Sequence, residues 1–493
     1  MTPTTSSTDV LIVGAGAAGL TLAIDLARRG VDFRLVDKAA SPFAGSRGKG
    51  LQPRSQEVFE DLGVLAGLLE LGAAPYPPIR TYGDGGFADQ VMSEVRDPTP
   101  SEPFGGALML PQMLTEEALR NRLADLGHAP EYGCELLGFE DGPDGVVARL
   151  HSVGGDRTVH ARWMVGADGG RSLVRRALGV DFPGQTLPVR ALVADLEVAG
   201  LSRDVWHRWM GGDEGQISLC PLAGTDLFQL QAALMQPGDP DLSAAGLSAM
   251  LARRTGRDDL AVAGVTWASA YGMNARLADR YRTGRVLLAG DAAHVHPPTG
   301  GQGLNTSVQD AYNLGWKLAA VLAGAPQELI DTYEEERRPI AASVLGLSQD
   351  LLTSAQAGAM RRGRESHELD LSYAGCRLAV DLRGTPGRVT AGDRAPDARI
   401  AGRRLFEIMA GPHWTLIGCG VGAHGLAPRP GLVVVSADDA ADDGVAALYD
   451  VEPGTWVLVR PDGYVGVMAH VGAEDALHSY LARVDSRGQP AAA

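Results

Sequence analysis

The most informative segment of the sequence is DVLIVGAGAAGLTLAIDLARRGVDFRLVDK, residues 9–38. Its apolar start, residues 9–13, is typical of a short buried strand, and residues 20–29 carry the apolar face of a helix that Gly30 ends. Residues 31–36 are typical of a second strand, which ends in Asp37. A strand, a helix and a strand in this order predict the first unit of a parallel α/β sheet.

The turn between that strand and helix is GAGAAG, residues 14–19. Its first glycine permits a tight turn, the second lets the backbone approach a pyrophosphate, and the third lets the helix pack on the strand. The helix N-terminus then faces the phosphates. A carboxylate that can accept from ribose hydroxyls, Asp37, ends the second strand. This pattern predicts a dinucleotide site, and its candidate residues here are Gly14, Gly16, Ala18, Gly19, Asp37 and Lys38.

Composition excludes several classes of partner. The chain has 493 residues, enough for roughly two to four domains. Its net charge of −16 argues against a nucleic acid or an anionic membrane as partner. It contains no signal-peptide pattern at its start and no apolar run long enough to span a membrane. Its 4 cysteines are far apart, which suits a reducing cytoplasm and no metal cluster.

The remaining chain divides by pattern. Residues 54–71 predict one amphipathic helix, and Thr115 is placed to cap another. Between about residues 180 and 275 the pattern changes to strands, and residues 330–355 are typical of a helix bent near Pro339. A Gly/Pro/Asp-rich linker after residue 385 precedes a third unit of alternating strands and short helices.

Two further motifs end strands in an aspartate. In VGADGGRSLVRRALG, residues 165–179, the strand ends at Asp168-Gly169. In GDAAHVHPPTGGQGLNTSVQDAYNLGWKLA, residues 290–319, Gly290-Asp291 opens a loop rich in glycine and proline, and a helix begins near Leu304.

These three motifs, in this order, resemble those of the FAD-dependent aromatic hydroxylases, the single-component flavoprotein monooxygenases. The resemblance covers almost the whole chain. Residues 45–63, 110–120 and 290–319 are similar to the branch that acts on phenols and aromatic polyketides. RAPD at 394–397 and the strands after it resemble that branch's C-terminal thioredoxin-like domain.

The resemblance implies an α/β fold in which a Rossmann-like FAD-binding domain is interleaved with a β-sheet substrate domain. The FAD-binding domain would comprise residues 1–75, 105–180 and 280–385. The substrate domain would comprise residues 76–104 and 181–279, and the thioredoxin-like domain residues 390–493. Cys419 stands alone in that last domain, so no redox pair is expected there.

The resemblance also implies how FAD is held, without a covalent bond. Asp291 would contact the ribityl chain, and backbone N–H groups of residues 301–305 would stabilise the negative charge of the reduced ring. The remaining cofactor-binding candidates are Arg47, Gln112, Leu136, Asp168, Pro298, Gly301, Gly303, Leu304 and Asn305. Those expected to act in catalysis, by positioning the flavin, are Arg47, Pro298 and Gly301.

The implied reaction is hydroxylation of a phenolic, polycyclic, polyketide-type substrate. NADPH or NADH would reduce FAD, and O2 would form a flavin C4a-hydroperoxide that attacks a carbon activated by a phenol. Three alternatives remain open: a Baeyer–Villiger oxygenase on the same fold, a flavin dehydrogenase, and a non-catalytic flavin- or drug-binding protein. We expect a monomer or homodimer.

Two further sets of residues are the histidines of the glycine- and proline-rich loop and the aromatic residues of the β region. His294 and His296 lack a third ligand at suitable spacing, so no metal site is expected. Some of the aromatic residues of the β region should stack on a flat ligand, but the sequence does not say which of Trp206, Trp209, Phe228, Trp267 and Tyr271 do so.

Overall fold

The structure is a computed structural model. It describes residues 4–83, 85–92, 94–236, 238–297, 301–356, 362–421, 429–437 and 444–484. The helices in these ranges are α1 (Ala17–Arg28), α2 (Pro53–Asp61), α3 (Leu65–Glu70), α4 (Gln112–Asp125), α5 (Leu173–Ala177), α6 (Ala244–Thr255), α7 (Gly303–Leu322), α8 (Asp331–Gln356), α9 (Leu405–Met409), α10 (Val445–Tyr449) and α11 (Glu474–Val484).

The strands of the same ranges are β1 (Thr4–Val13), β2 (Phe33–Asp37), β3 (Gly50–Leu51), β4 (Ala74–Pro75), β5 (Ile79–Gly83), β6 (Gly86–Gln90), β7 (Leu108–Met109), β8 (Glu131–Tyr132), β9 (Glu135–Gly142), β10 (Gly145–Ser152), β11 (Gly155–Gly166), β12 (Gly184–Val198), β13 (Trp206–Trp209), β14 (Ile217–Pro221), β15 (Phe228–Leu234), β16 (Val262–Leu277), β17 (Arg282–Thr283), β18 (Val286–Leu288), β19 (His294–Val295), β20 (Val380–Asp381), β21 (Arg399–Ile400), β22 (Arg403–Arg404), β23 (Trp414–Cys419), β24 (Leu432–Ala437), β25 (Thr455–Val459) and β26 (Val465–His470).

The first large sheet is built around β1. It has the order β17-β18-β11-β1-β2-β8, and the hairpin of β9 and β10 extends from β11. The pairs of β1 with β2 and β11, and of β11 with β18, are parallel. Central strands of a parallel sheet are covered on both faces, which explains why residues 10–13 are all apolar and buried. The predicted α/β unit at the start of the chain is confirmed.

The second large sheet has the order β19-β16-β12-β15-β14-β13-β5-β6 and is mainly antiparallel. One face packs on α6, where Leu192, Leu219 and Leu230 meet Leu247 and Leu251 in a closed apolar core. The other face carries polar and aromatic residues. Such alternation is typical of an antiparallel sheet whose two faces meet different environments.

The C-terminal part of the chain forms a third sheet, in the order β20-β26-β25-β23-β24. Its own core includes Cys419, Tyr449 and Val457. It is joined to α7 and α8 by buried polar contacts: Arg460 contacts Glu336 of α8 at 2.7 Å, and Asp462 accepts from Trp316 Nε1 of α7 at 3.0 Å. This unit is therefore docked on α7 and α8 through charged as well as apolar contacts.

Two local predictions were wrong. Residues 54–71 form two helices, α2 and α3, because Gly63 between them takes a φ of +72° that ends the first. Thr115 lies inside α4, which begins at Gln112, and its hydroxyl donates to the Pro111 carbonyl at 3.4 Å. Pro111 pre-organises the N-terminus here, so no capping side chain is needed.

The helix predicted at residues 330–355 is confirmed as α8, which contains Pro339. The helix expected near Leu304 is confirmed as α7. Within the part of the chain that the structure describes, none of the helices has the length and apolar character needed to cross a bilayer.

Candidate active site

The glycine turn after β1 is set by close backbone contacts. A Cβ on Gly14 would lie 2.2 Å from the Ala167 carbonyl oxygen, and one on Gly19 would lie 1.9 Å from the Gly14 carbonyl oxygen. Both positions therefore exclude any side chain. Gly16 differs, because a Cβ there would meet only the Glu116 carboxylate, at 3.7 Å. The protein itself leaves space beside Gly16, as a phosphate group requires.

The N-terminus of α1 faces that space. Gly16 is its N-cap and supplies no side-chain hydrogen bond, and the first turn holds no acidic residue. Ala18, in this turn, is buried. Free N–H groups at a helix N-terminus are a site for an anion.

Asp37 closes one side of the turn. Its two carboxylate oxygens accept from the backbone N–H groups of Ala15 and Ala39, each at 2.8 Å. The side chain remains half-buried, and the adjoining Lys38 is exposed. The carboxylate is thus fixed in orientation at the carboxyl end of β2, beside the α1 N-terminus.

The segment expected to meet adenine runs beside Asp37. β8 pairs with β2, and Cys134 donates its N–H to the Asp37 carbonyl at 2.8 Å. Leu136 follows in β9 with its side chain in the main core, 4% exposed. Only its backbone is therefore free to meet a ligand.

Gln112 joins two segments at the other side of the turn. Its Oε1 accepts from Gly48 N at 3.2 Å and its Nε2 donates to Glu116 Oε1 at 2.8 Å. Burial raises the pKa of Glu116 to about 7, against the lowering effect of the hydrogen bonds from Gln112 and from the Ala17 N–H. A carboxyl that titrates near neutrality thus lies at the helix N-terminus.

The two carboxylate oxygens of Asp168 have different environments. Oδ2 accepts from Leu173 N at 2.7 Å and Val174 N at 3.2 Å, which caps α5. Oδ1 is buried and has no hydrogen-bond partner in the described ranges. Arg175, on the same helix, donates to the Ala292 carbonyl at 2.7 Å, so this motif is tied to the loop that Asp291 opens.

Asp291 itself is exposed and accepts no hydrogen bond from the residues described. The residues next to it in the chain are held in place by side chains of α7 and α8. Asp310 of α7 accepts from Gly290 N at 3.2 Å and pairs with His294 Nε2 at 2.6 Å, while Arg337 contacts its other oxygen at 2.8 Å. This buried network positions Gly290-Asp291 and leaves the Asp291 carboxylate available.

Asn305 holds the loop that leads into α7. Its Nδ2 donates to the carbonyls of Gly50 and Gly301 at 2.9 and 2.7 Å, and its Oδ1 accepts from Gln52 N at 2.8 Å. The side chain is therefore occupied by backbone groups, and only its N–H could reach a flavin. Gly303 and Leu304 are the first residues of the helix, whose N-cap has no side-chain bond.

Gly301 takes a φ of +64°, a conformation that disfavours every side chain. A Cβ there would lie 3.0 Å from Arg362 and 3.8 Å from Gln52 Nε2. Both polar atoms of the Gln52 side chain are buried without a partner in the described residues. Orphaned polar atoms beside a bare glycine loop fit a polar ring edge such as that of a flavin. Pro298, expected here, lies outside the described residues.

Arg47 lies beside two aromatic rings. It is exposed, and its guanidinium lies 5.7 Å from the ring centroid of Phe43 and 5.8 Å from that of Trp267. The chain approaches Trp267 so closely at Gly45 that a Cβ would lie 2.5 Å from the indole. Arg47 thus stands at the mouth of the cleft, held by two rings.

Beneath Arg47 lies a buried polar cluster, Ser46, Lys49, Asp195 and Gln229, that sequence reasoning missed. Asp195 accepts from Ser46 N at 2.7 Å and from its hydroxyl, and Lys49 donates to Gln229 Oε1. Burial raises the pKa of Asp195 and lowers that of Lys49. Polar residues at alternate positions of otherwise apolar strands were the available signal.

The register of the second sheet shows on which face each aromatic side chain lies. Trp209 and Phe228 belong to the core against α6. Trp206 faces the opposite side, where the Lys49 ammonium lies 4.1 Å from its ring centroid. Trp267 and Tyr271, on β16, are half-buried on that same side. These two are the residues of the set that a flat ligand can contact.

His294 has an acidic partner, and His296 is neutral. His294 is paired with Asp310, and burial lowers the pKa of His296 to about 3, so that this ring is neutral. Across the described residues, no group of three His, Cys, Asp or Glu side chains could hold a metal ion.

The donor set fits a dinucleotide with a flavin ring: a helix N-terminus open to an anion, a carboxylate fixed beside it, and a glycine loop with orphaned polar groups. The family described as "FAD binding domain" matches residues 7–348. The chain therefore belongs to this family of FAD-dependent monooxygenases.

Individual relatives agree. A flavin-dependent monooxygenase of Mycobacteroides abscessus is 46% identical over 484 residues, 96% of this chain and 99% of the relative. The 6-methylpretetramide 4-monooxygenase of Streptomyces rimosus is 34% identical, over 100% of this chain and 98% of its own. The ternary complex of aklavinone-11 hydroxylase with FAD and aklavinone superposes with a TM-score of 0.84 at 27% identity, over 97% and 99% of the chains.

Proposed function

We propose that this protein hydroxylates a phenolic, polycyclic aromatic compound of the polyketide type, with O2 as oxygen source and NADPH or NADH as reductant. The observation that carries this proposal is the polar and aromatic face of the second sheet. Trp267 and Tyr271 on that face stand next to Arg47 and the cleft of the glycine loop. A flat, oxygen-bearing ring suits aromatic and polar walls.

Bound FAD would supply hydride acceptance and O2 activation. The chain's residues bind and orient it. The α1 N-terminus would hold the pyrophosphate, Asp37 the ribose and Asp291 the ribityl chain. N–H groups at the start of α7 would face the pyrimidine edge of the ring and favour negative charge there. Gln112 would contact the cofactor through its side-chain amide, and Asp168 through its carboxylate.

Arg47 would serve as a mobile cation at the cleft mouth. The interaction of its guanidinium with each ring contributes about 0.5–1 kcal/mol at an exposed site. An anionic ligand can replace interactions this weak. Within the chain, no side chain is needed as a nucleophile, because the protein's part is orientation and exclusion of water.

We further propose that the domains follow residues 1–75, 105–180 and 280–385 for FAD, 76–104 and 181–279 for substrate, and 390–493 for a thioredoxin-like unit. Cys419 is fully buried in the core of that last unit. A buried thiol without a second cysteine cannot exchange disulfides. Cys419→Ser should keep turnover within about twofold; loss of turnover in a folded variant would contradict a structural role.

The proposal is tested by anaerobic reduction. The FAD-loaded protein is mixed with NADPH or NADH, with and without anhydrotetracycline as a polycyclic phenol. We expect bleaching of the flavin absorbance that the phenol accelerates. A flavin that neither nucleotide reduces would contradict the proposal and favour a non-catalytic flavin- or drug-binding protein.

A further inference from the structure

A row of polar side chains crosses the second sheet on the face opposite α6. Arg208 of β13 lies directly opposite Thr81 of β5 on one side and Ser218 of β14 on the other, and Ser218 lies opposite Gln231 of β15. Their chain neighbours Trp209, Leu219 and Leu230 belong to the core against α6. Since side chains alternate along a strand, the row faces the other way, toward the cleft side.

Arg208 has no negatively charged partner within the described residues. Its Nε donates to Thr81 Oγ1 at 2.9 Å, and its Nη1 is buried without a partner. The Ser218 hydroxyl, directly opposite, is also buried without a partner. Arg208 is 5% exposed and Ser218 1% exposed. Burial lowers the pKa of Arg208, and no carboxylate offsets this effect.

Three other arginines buried to this degree are paired with acids, and Arg175, 6% exposed, donates to the carbonyls of Ala292 and Gly170 instead. Arg54 contacts Glu57 at 2.7 Å, Arg337 contacts Asp310 at 2.8 Å, and Arg460 contacts Glu336 at 2.7 Å. Removing a guanidinium from water costs several kcal/mol unless a counter-charge or full hydrogen bonding compensates. Arg208 is thus a buried cation for which the described residues supply too few acceptors.

We propose that Arg208 and Ser218 bind an anionic oxygen pair on the edge of the aromatic substrate, a carboxylate or an ionised 1,3-dicarbonyl. This inference rests on the proposed function, because it assigns the substrate to this face of the sheet. A guanidinium matches two oxygens at one edge with two parallel hydrogen bonds, and Ser218 adds a donor beside it.

The ends of the row are more accessible than its middle. Thr81 and Gln231 are half-buried, whereas Arg208 and Ser218 between them are shielded. Two residues back along β13, the row is closed by Trp206 beneath the Lys49 ammonium. An anion would therefore reach Arg208 along the sheet face, on the side where Ser269 and Tyr271 of β16 are also half-exposed.

The inference is tested by binding without turnover. The FAD-loaded enzyme is titrated with 1,4-dihydroxyanthraquinone-2-carboxylate and with its methyl ester, in the absence of NADPH, and Kd is read from quenching of flavin fluorescence. Variants are Arg208→Gln, Arg208→Lys and Ser218→Ala. Arg80→Gln is the matched control, because Arg80 lies on the adjacent strand, faces the other way and pairs with Asp89 at 2.8 Å.

We expect wild type and Arg80→Gln to prefer the carboxylate. Arg208→Gln should weaken carboxylate binding by about 10- to 100-fold and ester binding by less than about threefold. Arg208→Lys should fall between, and Ser218→Ala should lose about three- to tenfold for the carboxylate.

Equal losses for the two probes, or no loss for either, would overturn the inference. If Arg208→Gln lowers Tm so far that it cannot be titrated, Ser218→Ala and Arg208→Lys decide by the same ratio of Kd values. A carboxylate preference that depends on Arg208, in a protein whose flavin neither nucleotide reduces, would keep this site and refute the proposed function instead.

Discussion

The Glu116 carboxylate lies 3.7 Å from the position that a Cβ would take on Gly16, at the N-terminus of α1. The site for a pyrophosphate therefore already contains an acid. Because burial raises the pKa of Glu116 to about 7, this acid is half-protonated near neutral pH. A phosphate placed beside it favours the protonated form further, so FAD binding and proton uptake are linked.

FAD affinity should consequently fall as pH rises above about 7. Between pH 6 and 9 we expect Kd to increase by about tenfold per pH unit once Glu116 is ionised in the free protein. Glu116→Gln should remove that slope and bind FAD at pH 9 more tightly than wild type does. Isothermal titration of the apoprotein across this range checks it; parallel pH profiles for the two proteins would contradict the linkage.

The same residue affects the stability of the apoprotein. Its pKa is raised on folding, so its contribution is fully favourable below the unfolded value near 4.5 and is lost as pH rises through about 7. FAD-free Glu116→Gln should therefore gain stability over wild type at pH 8 but not at pH 4.5. Denaturant titrations at the two values measure the difference.

Asp37 is the residue that we propose to bind the ribose. Asp37→Ala removes a charged acceptor and frees the N–H groups of Ala15 and Ala39, so FAD binding should weaken by about 1–3 kcal/mol. Asp32→Ala is the control, because Asp32 is an exposed acid at the other end of the same segment. Unchanged affinity in Asp37→Ala would remove this carboxylate from the site.

Asn305 fixes the glycine loop through three backbone hydrogen bonds. Asn305→Ala should cost about 2–3 kcal/mol of unfolding free energy and should divert more NADPH oxidation to H2O2, because the loop no longer holds one shape. Asn121→Ala, on the exposed side of α4, should change neither. Thermal unfolding and a peroxide assay measure both effects; a coupled, fully stable Asn305→Ala enzyme would refute the role.

Glu336 joins α8 to the C-terminal sheet. Burial alone would raise its pKa, but Arg460 and Lys317 outweigh this and leave the pKa at about 2. Its stabilising effect is present above the unfolded value near 4.5 and is lost as pH falls toward 2. Glu336→Gln should lose about 3–5 kcal/mol of unfolding free energy at pH 7, since it leaves the buried Lys317 without an acidic partner and Arg460 with Asp462 alone. The loss should shrink on acidification; a pH-independent loss would contradict the ion-pair account.

The sequence predicts the start of the fold well, because the glycine turn after β1 is a local backbone requirement. Gly14, Gly19 and Asp37 lie where their spacing places them. Long-range packing was not accessible in this way. Asp195 and Gln229 meet Ser46 only because the second sheet folds back on the first, 149 and 183 residues away in the chain.

Roles that depend on the bound cofactor stay predictions. Arg47 was expected to bind the cofactor and position the flavin, and its guanidinium lies 5.7 Å from the ring centroid of Phe43 and 5.8 Å from that of Trp267. The backbone N–H of Asn305 was likewise expected at the flavin, which stays a prediction, while its side chain satisfies buried carbonyls that the glycine loop exposes. The row of Arg208 and Ser218 is visible only once the strand register is known.

The proposed reaction transfers an oxygen atom from O2 to a ring carbon of the substrate, and labelled O2 shows where that atom goes. The FAD-loaded enzyme is incubated with NADPH, ¹⁸O2 and a panel of polycyclic phenols, and products are analysed by mass spectrometry and NMR. We predict one ¹⁸O atom on a ring carbon ortho or para to a hydroxyl, with the ring skeleton intact. A lactone carrying the label beside a former carbonyl would identify a Baeyer–Villiger oxygenase instead, and NADPH oxidation without label in any product would contradict oxygen transfer altogether.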